Sequence, residues 1–178
     1  MTKTELATAI LRRSRLTGTF RLRSGVQATE YFDKYRFESD PALLQAIVRE
    51  LAPLVPTSTE FFAGLELGGV PLATALSLHT GLPSVFVRKR AKDYGTYRLA
   101  EGADVAGRRL LIVEDVITSG GQVASSCEEL RSLGAIVEHA VCVIDRCSGG
   151  RELLEAAGIA LRALFLKGDL EPEHELAR

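Results

Sequence analysis

The stretch Leu110-Leu111-Ile112-Val113-Glu114-Asp115-Val116-Ile117-Thr118-Ser119-Gly120-Gly121-Gln122-Val123-Ala124-Ser125 constrains the fold more than any other part of the chain. Its four leading apolar residues are too few for a helix and lack polar alternation, the pattern of a strand buried on both faces of a parallel sheet. The pattern predicts a strand that ends at Val113. Glu114 and Asp115 then stand exposed where the strand leaves the sheet, the edge at which open α/β sheets place their ligands. Beyond Val116 and Ile117, Thr118-Ser119-Gly120-Gly121 leads into a helix whose apolar face carries Val123, Cys127, Leu130 and Leu133. Glycines let backbone N–H groups approach an anion closely, and the helix N-terminus adds free donors and a favourable dipole. Such a loop suits a phosphate. Carboxylates beside it would repel an anion unless they serve hydroxyl groups or a metal ion on the same ligand, and a sugar phosphate presents both needs.

The rest of the chain repeats strand and helix around this unit. A first helix is expected from Thr4, with Thr4 as its cap and Leu6, Ala9, Ile10 and Arg13 on one face. Thr19–Arg23 and Tyr31–Phe37 alternate like the two strands of a hairpin, with a turn at Ser24-Gly25. Ser39-Asp40-Pro41 supplies an N-cap and a first-turn proline for a helix carrying Leu43, Leu44, Ile47, Val48 and Leu51 and ending near Pro53. Phe61–Leu65 reads as a buried strand, Gly68-Gly69 as a tight turn, and a helix follows through about Leu78. Ser84–Val87 is a further strand. The cation-rich, aperiodic stretch Arg88–Gly102 that leaves it reads as a solvated loop facing the same crevice. A strand through Ala135–Ile144 ends in Asp145-Arg146, a helix spans Gly149–Ala157, a last strand Ile159–Leu166, and the tail from Glu171 is acidic. Alternating buried strands and helices in this order imply a doubly wound, mainly parallel α/β sheet.

Five separated motifs resemble known families. Acid-acid-apolar-apolar-Thr-Ser-Gly-Gly after an apolar strand resembles the phosphoribosyl pyrophosphate (PRPP) signature of the type I phosphoribosyltransferases. Phe20-Arg21-Leu22-Arg23-Ser24-Gly25 followed by Tyr31-Phe32-Asp33-Lys34 is similar to the substrate-hood segment of orotate phosphoribosyltransferases. Arg88-Lys89-Arg90-Ala91-Lys92-Asp93-Tyr94-Gly95 is similar to their catalytic loop, with Tyr94 where many relatives carry histidine. Gly68-Gly69 resembles the pyrophosphate loop, with Gly68 where some relatives carry lysine, and Asp145-Arg146 resembles the Asp-Arg pair whose arginine recognises the orotate carboxylate side.

The resemblance covers residues 19–150. It implies the type I phosphoribosyltransferase fold as one domain over residues 1–178, with residues 1–38 forming a small N-terminal hood over the active site. Lys92, Asp115 and Glu114 are implied as catalytic. PRPP is implied to meet Arg88, Lys89, Lys92, Tyr94, Gly68, Gly69, Glu114, Asp115, Val116, Ile117, Thr118, Ser119, Gly120, Gly121 and Gln122. Orotate is implied to meet Arg23, Lys34, Thr118 and Arg146. Magnesium is expected through PRPP and water near Asp115, and a homodimer is expected in which the loop bearing Lys92 serves the neighbour's site.

Composition bounds these expectations. At 178 residues, 46% hydrophobic, the chain can bury a full core as one domain. A net charge of −1 gives no global reason for a nucleic-acid or membrane partner. Cys127, Cys142 and Cys147 read as reduced thiols without zinc spacing, and the N-terminus lacks a signal-peptide pattern, so the expected location is cytoplasmic. Two other classes share the central loop: a purine phosphoribosyltransferase, which has no reason for the hood motif or Arg146, and a non-enzymatic PRPP sensor, which would need a nucleic-acid surface.

Overall fold

The computed structural model describes residues 1–21, 25–90 and 99–170. Arg23, Lys92, Tyr94 and the acidic tail lie outside the described residues. Helix α1 (Lys3–Ser14) is followed by strands β1 (Arg15–Arg21) and β2 (Gln27–Phe32), a short helix α2 (Tyr35–Glu38) and α3 (Pro41–Leu51). Then come β3 (Phe61–Leu65), α4 (Gly69–Thr80), β4 (Ser84–Val87) and β5 (Ala100–Glu101). The last part comprises β6 (Arg109–Ile117), α5 (Gly121–Ser132), β7 (Ile136–Asp145), α6 (Gly150–Ala156), β8 (Ala160–Leu166) and α7 (Lys167–Leu170).

Six strands form one sheet in the order β5-β4-β3-β6-β7-β8, parallel throughout except for β5. Strands β1 and β2 pair antiparallel as a separate hairpin. The pleat sends alternate residues to opposite faces. Leu111 and Val113 of β6 join Leu6 and Ile10 of α1, Ile47 of α3 and Leu72 and Leu76 of α4 in one apolar layer. Leu110 and Ile112 join Val123, Cys127 and Leu130 of α5 and Leu154 of α6 in the other. Helices therefore cover both faces of the sheet, as the doubly wound pattern requires. Successive strands run outward to β4 from β3 and outward to β8 from β6, so the chain order reverses between β3 and β6. The turns after these two strands diverge there, opening a crevice at their carboxyl ends.

Local sequence explains the helix ends. Thr2, not Thr4, caps α1: its hydroxyl accepts Glu5 N–H at 3.2 Å while the Glu5 carboxylate accepts Thr2 N–H at 2.7 Å, a reciprocal capping box. Arg13 lies off the buried face and pairs with Asp40 at 3.6 Å. Asp40 caps α3 through Ala42 and Leu43 N–H, with Pro41 as first helical residue.

Three other expectations are corrected. Tyr35–Phe37 is not strand: Asp33 accepts Tyr35 N–H at 3.2 Å, and the chain turns into α2, burying Phe37 completely. Leu133 falls beyond the last turn of α5 and is 47% exposed, so that helix buries only Val123, Cys127 and Leu130 of its predicted face. Strand β6 does not stop at Val113 but pairs with β7 through Ile117.

Candidate active site

Extending β6 through Ile117 changes the setting of the acid pair. Asp115 is fully buried, against the expectation of an exposed strand end, and Glu114 is half-buried. A carboxylate in that position needs a counter-charge. Lys34 supplies it: its Nζ donates to Asp115 Oδ1 at 2.9 Å and lies 2.7 Å from Oδ2. Val116 N–H also donates to Oδ1. Glu38, one turn beyond Lys34, is buried in the same cluster.

Three carboxyls around one ammonium cannot all ionise. Burial, followed by the bond to and charge of Asp115, pushes Glu38 up to about 9. Burial and the Asp115 charge likewise push Glu114 up to about 9. Burial alone would raise Asp115 too, but bonds from Glu38, Glu114 and Lys34 hold it below the usual aspartate range. Lys34 would be lowered by burial and is raised instead by its bonds and charge contact with Asp115. The cluster near neutral pH is thus one Asp⁻–Lys⁺ pair flanked by two protonated glutamates, whose O–H groups can donate to Asp115.

Two glycine-bearing turns face each other beside this cluster. A Cβ on Gly68 would lie 1.6 Å from Asp115 Oδ2, and one on Gly69 would lie 2.1 Å from the Val113 carbonyl oxygen. Gly64 on β3 is also tight, with an added Cβ 2.6 Å from the Gly69 carbonyl oxygen. Across the crevice, Gly120 has φ +73° and forms the N-cap of α5 with no side-chain cap, so the first N–H groups of that helix stay available. Thr118, Ser119, Gly121 and Gln122 are exposed around them.

At the base of the cation-rich loop, Arg88 is paired with Glu101 at 3.3 Å, and the backbone N–H of Lys89 donates to Glu66 at 2.7 Å. Asp145 at the end of β7 is buried, while Arg146 is partly exposed and its side chain makes no hydrogen bond or ion pair among the described residues.

Residues 37–157 match the phosphoribosyl transferase domain family. The chain is 53% identical over 161 residues to the orotate phosphoribosyltransferase of Nocardioides sp. (strain ATCC BAA-499 / JS614), covering 90% of each chain. The chain belongs to the orotate phosphoribosyltransferase family. Among solved structures, the Mycobacterium tuberculosis H37Rv orotate phosphoribosyltransferase in complex with inorganic phosphate superposes with a TM-score of 0.83 at 32% identity, over 94% of this chain and 97% of that one. The same enzyme in complex with PRPP gives a TM-score of 0.80 at 30% identity, over 94% and 98%.

Gly68, Gly69, Glu114, Asp115 and Thr118–Gln122 come together at the switch point between β3 and β6. Val116 and Ile117 prove to be the last residues of β6. Lys34 reaches this group from the segment before α2. Arg146 lies one strand over, its backbone N–H bonded to the Ile117 carbonyl at 2.9 Å. Sequence reasoning missed Glu38, although its spacing of four from Lys34 places both on one helical face. It also missed Glu66 and Arg151, which holds the Asp145 carboxylate at 3.1 Å.

Proposed function

We propose that this chain transfers ribose 5-phosphate from PRPP to orotate, giving orotidine 5′-monophosphate and pyrophosphate. One observation carries the reading: at the switch point, a single segment joins the acid pair Glu114–Asp115 in the last part of β6 to the open first turn of α5. That arrangement offers acceptors for sugar hydroxyls and donors for a phosphate within one loop. Thr118–Gln122 hold the 5′-phosphate, and Glu114 and Asp115 face the ribose hydroxyls. The amides around Gly68 and Gly69 receive the departing pyrophosphate, with Arg88, Lys89, Lys92 and Tyr94 attending it. Breaking the C1–pyrophosphate bond builds negative charge on the leaving group and positive charge on the ribosyl ring, so these residues act by placement and by fixed charge. Lys34, Thr118, Arg23 and Arg146 receive orotate, the guanidinium of Arg146 matching a carboxylate as a planar fork.

The donor chemistry fits Mg²⁺. The oxygen donors of the Asp115 carboxylate and the Glu114 carboxyl suit a hard cation that retains most of its waters and is otherwise held by substrate phosphates. Among the described residues no group of three His, Cys, Asp or Glu side chains would hold a metal by itself. Glu114 and Asp115 would meet the hydrated ion that PRPP brings. Bound there, it neutralises charge on the pyrophosphate.

Residues 1–38 act as the hood of a single domain, and the active unit is a cytoplasmic homodimer in which Lys92 serves the neighbour's site. Among the described residues no helix is long and apolar enough to cross a membrane.

The deciding assay follows orotate disappearance with PRPP and magnesium, with adenine and hypoxanthine as competing bases. Orotate should be consumed and the purines spared; the opposite preference would overturn the reading. Sharing of sites is tested by mixing Lys92→Ala with Asp115→Asn under conditions of subunit exchange. Random pairing should restore about a quarter of wild-type activity, and exchange without recovery would place Lys92 over its own subunit's site.

A further inference from the structure

An aspartate immediately before an arginine at a strand end would ordinarily neutralise it. Here the carboxylate turns the other way. Asp145 is 1% exposed; its Oδ1 accepts Cys147 N–H at 2.9 Å, and its Oδ2 accepts Arg151 Nη2 at 3.1 Å. The second arm of the Arg151 fork donates to the Leu161 carbonyl on β8 at 2.8 Å. Cys147, on the far side of Arg146, has a φ of +51°, a conformation few non-glycine residues adopt. The backbone is thereby folded around the Asp145 carboxylate, with Arg146 between its two anchored neighbours.

We propose that Asp145 and Arg151 are positioning residues that keep the Arg146 guanidinium free for orotate. The inference rests on the assignment of Arg146 to orotate given above. Its physical core is charge competition. A buried carboxylate without a cation is strongly unfavourable, and Arg146, the next residue in the chain, is a cation that could take the place of Arg151. Removing Arg151 would let Asp145 capture the Arg146 guanidinium and withdraw it from the crevice. The loop's other constraints would not prevent this, because they act on backbone: Arg146 N–H is held by Ile117, and a Cβ on Gly150 would lie 2.6 Å from the Thr118 carbonyl oxygen. That same glycine contact ties the Arg146 loop to the phosphate loop, so the guanidinium can be lost from the crevice while PRPP binding stays intact.

The experiment measures KM for orotate, KM for PRPP, kcat and melting temperature in Arg151→Ala, Arg146→Ala, and Asp145→Asn combined with Arg151→Ala. Arg151→Ala should raise the orotate KM about tenfold, with the PRPP KM and kcat within about twofold. The decisive variant is the double. Asp145→Asn removes the charge that captures Arg146, so Asp145→Asn with Arg151→Ala should bring the orotate KM back toward wild type, even though a second native bond has been lost. A merely structural role for Arg151 would make the double worse than the single. An unchanged orotate KM in Arg151→Ala, or a double variant no better than the single, overturns the proposal. If Arg151→Ala does not fold, Arg151→Gln carries the same expectations with the side-chain length kept. If Arg146→Ala leaves the orotate KM unchanged in an enzyme that consumes orotate, both the Arg146 assignment and the proposal fall. If Arg146→Ala raises it and Arg151→Ala does not, only the positioning role falls.

Discussion

Two turns at the carboxyl edge of the sheet carry paired glycines, Gly68-Gly69 after β3 and Gly120-Gly121 after β6, and glycine is required in them on different grounds. Gly68 has ordinary helical dihedrals, φ −67° and ψ −30°, which any residue could adopt. What forbids a side chain there is space, since the position of its Cβ is occupied by the Asp115 carboxylate. Gly120 is the reverse: its φ of +73° is unfavourable to L-residues before any neighbour is considered, although Gly150 also stands 2.9 Å from where its Cβ would be. Beside it, Gly121 has nothing within 4 Å of an added Cβ. A glycine pair in a sequence can thus mean a tight approach, a special backbone, or an open helix start, and the three respond differently to substitution.

The largest effect is expected at the tight approach. Gly68→Ala must displace either its own loop or the pinned Asp115, so kcat/KM should fall by about a hundredfold, with a stability loss of about 1–3 kcal/mol. Steady-state kinetics beside a thermal melt would check this, and a near-native alanine variant would break the spatial half of the comparison. Gly120→Ala should cost about 1–2 kcal/mol through its dihedrals alone. Its loss should appear first in the melting temperature, and a Gly120→Asn variant should recover part of it, because asparagine tolerates the left-handed region better.

A third, smaller effect concerns the charge packed against Gly68. Glu38 and Glu114, ordinarily near 4.5, are raised to about 9 by burial and by Asp115. Between those values the folded chain keeps protons that the unfolded chain has released, so their contribution makes stability fall as pH rises through that window. Asp115 acts oppositely: its lowered value stabilises above its ordinary 3.8 and is lost as pH falls. The raised Lys34 contributes fully below 10.5 and is lost above. Glu38→Gln keeps a hydrogen-bond donor but has no proton to lose, so the decline of melting temperature from about pH 5.5 to 8.5 should become less steep. An unaltered slope would remove Glu38 from the cluster's titration. Smallest of all, Gly121→Ala should change stability by less than about 0.5 kcal/mol in either direction, read by denaturant unfolding. A large loss there would mean that the first turn of α5 is not open.

Much of this frame was legible in the chain. Periodicity located α3, β3, β4 and β7 because their apolar residues repeat at the spacing of the element. The end of β6 was misjudged because an acid pair looks like a departure from a sheet, and the lysine that makes it tolerable lies 81 residues earlier. Alternating aromatics made Tyr35–Phe37 look extended, whereas Asp33 turns the chain. Two-residue β5 carries no pattern to detect. Arg151 as the partner of Asp145 was not legible, because sequence adjacency hides which way a carboxylate points.

The rims of the sheet bear on how the folded chain behaves at high concentration. An unpaired strand edge is a template on which another molecule can lay a strand, the first step of edge-to-edge aggregation. At one rim the template is β5, which pairs with β4 over just two residues before the chain turns at Gly102, with φ +112°. That length is too short to seed a ladder. At the other rim stands β8, seven residues paired on one side with β7. Its guard is Arg162, which donates sideways to the Leu54 carbonyl at 2.9 Å and places a charge along the exposed margin. Of the described rims of the six-stranded sheet, β8 is therefore the one from which a ladder could grow, and Arg162 stands on that strand.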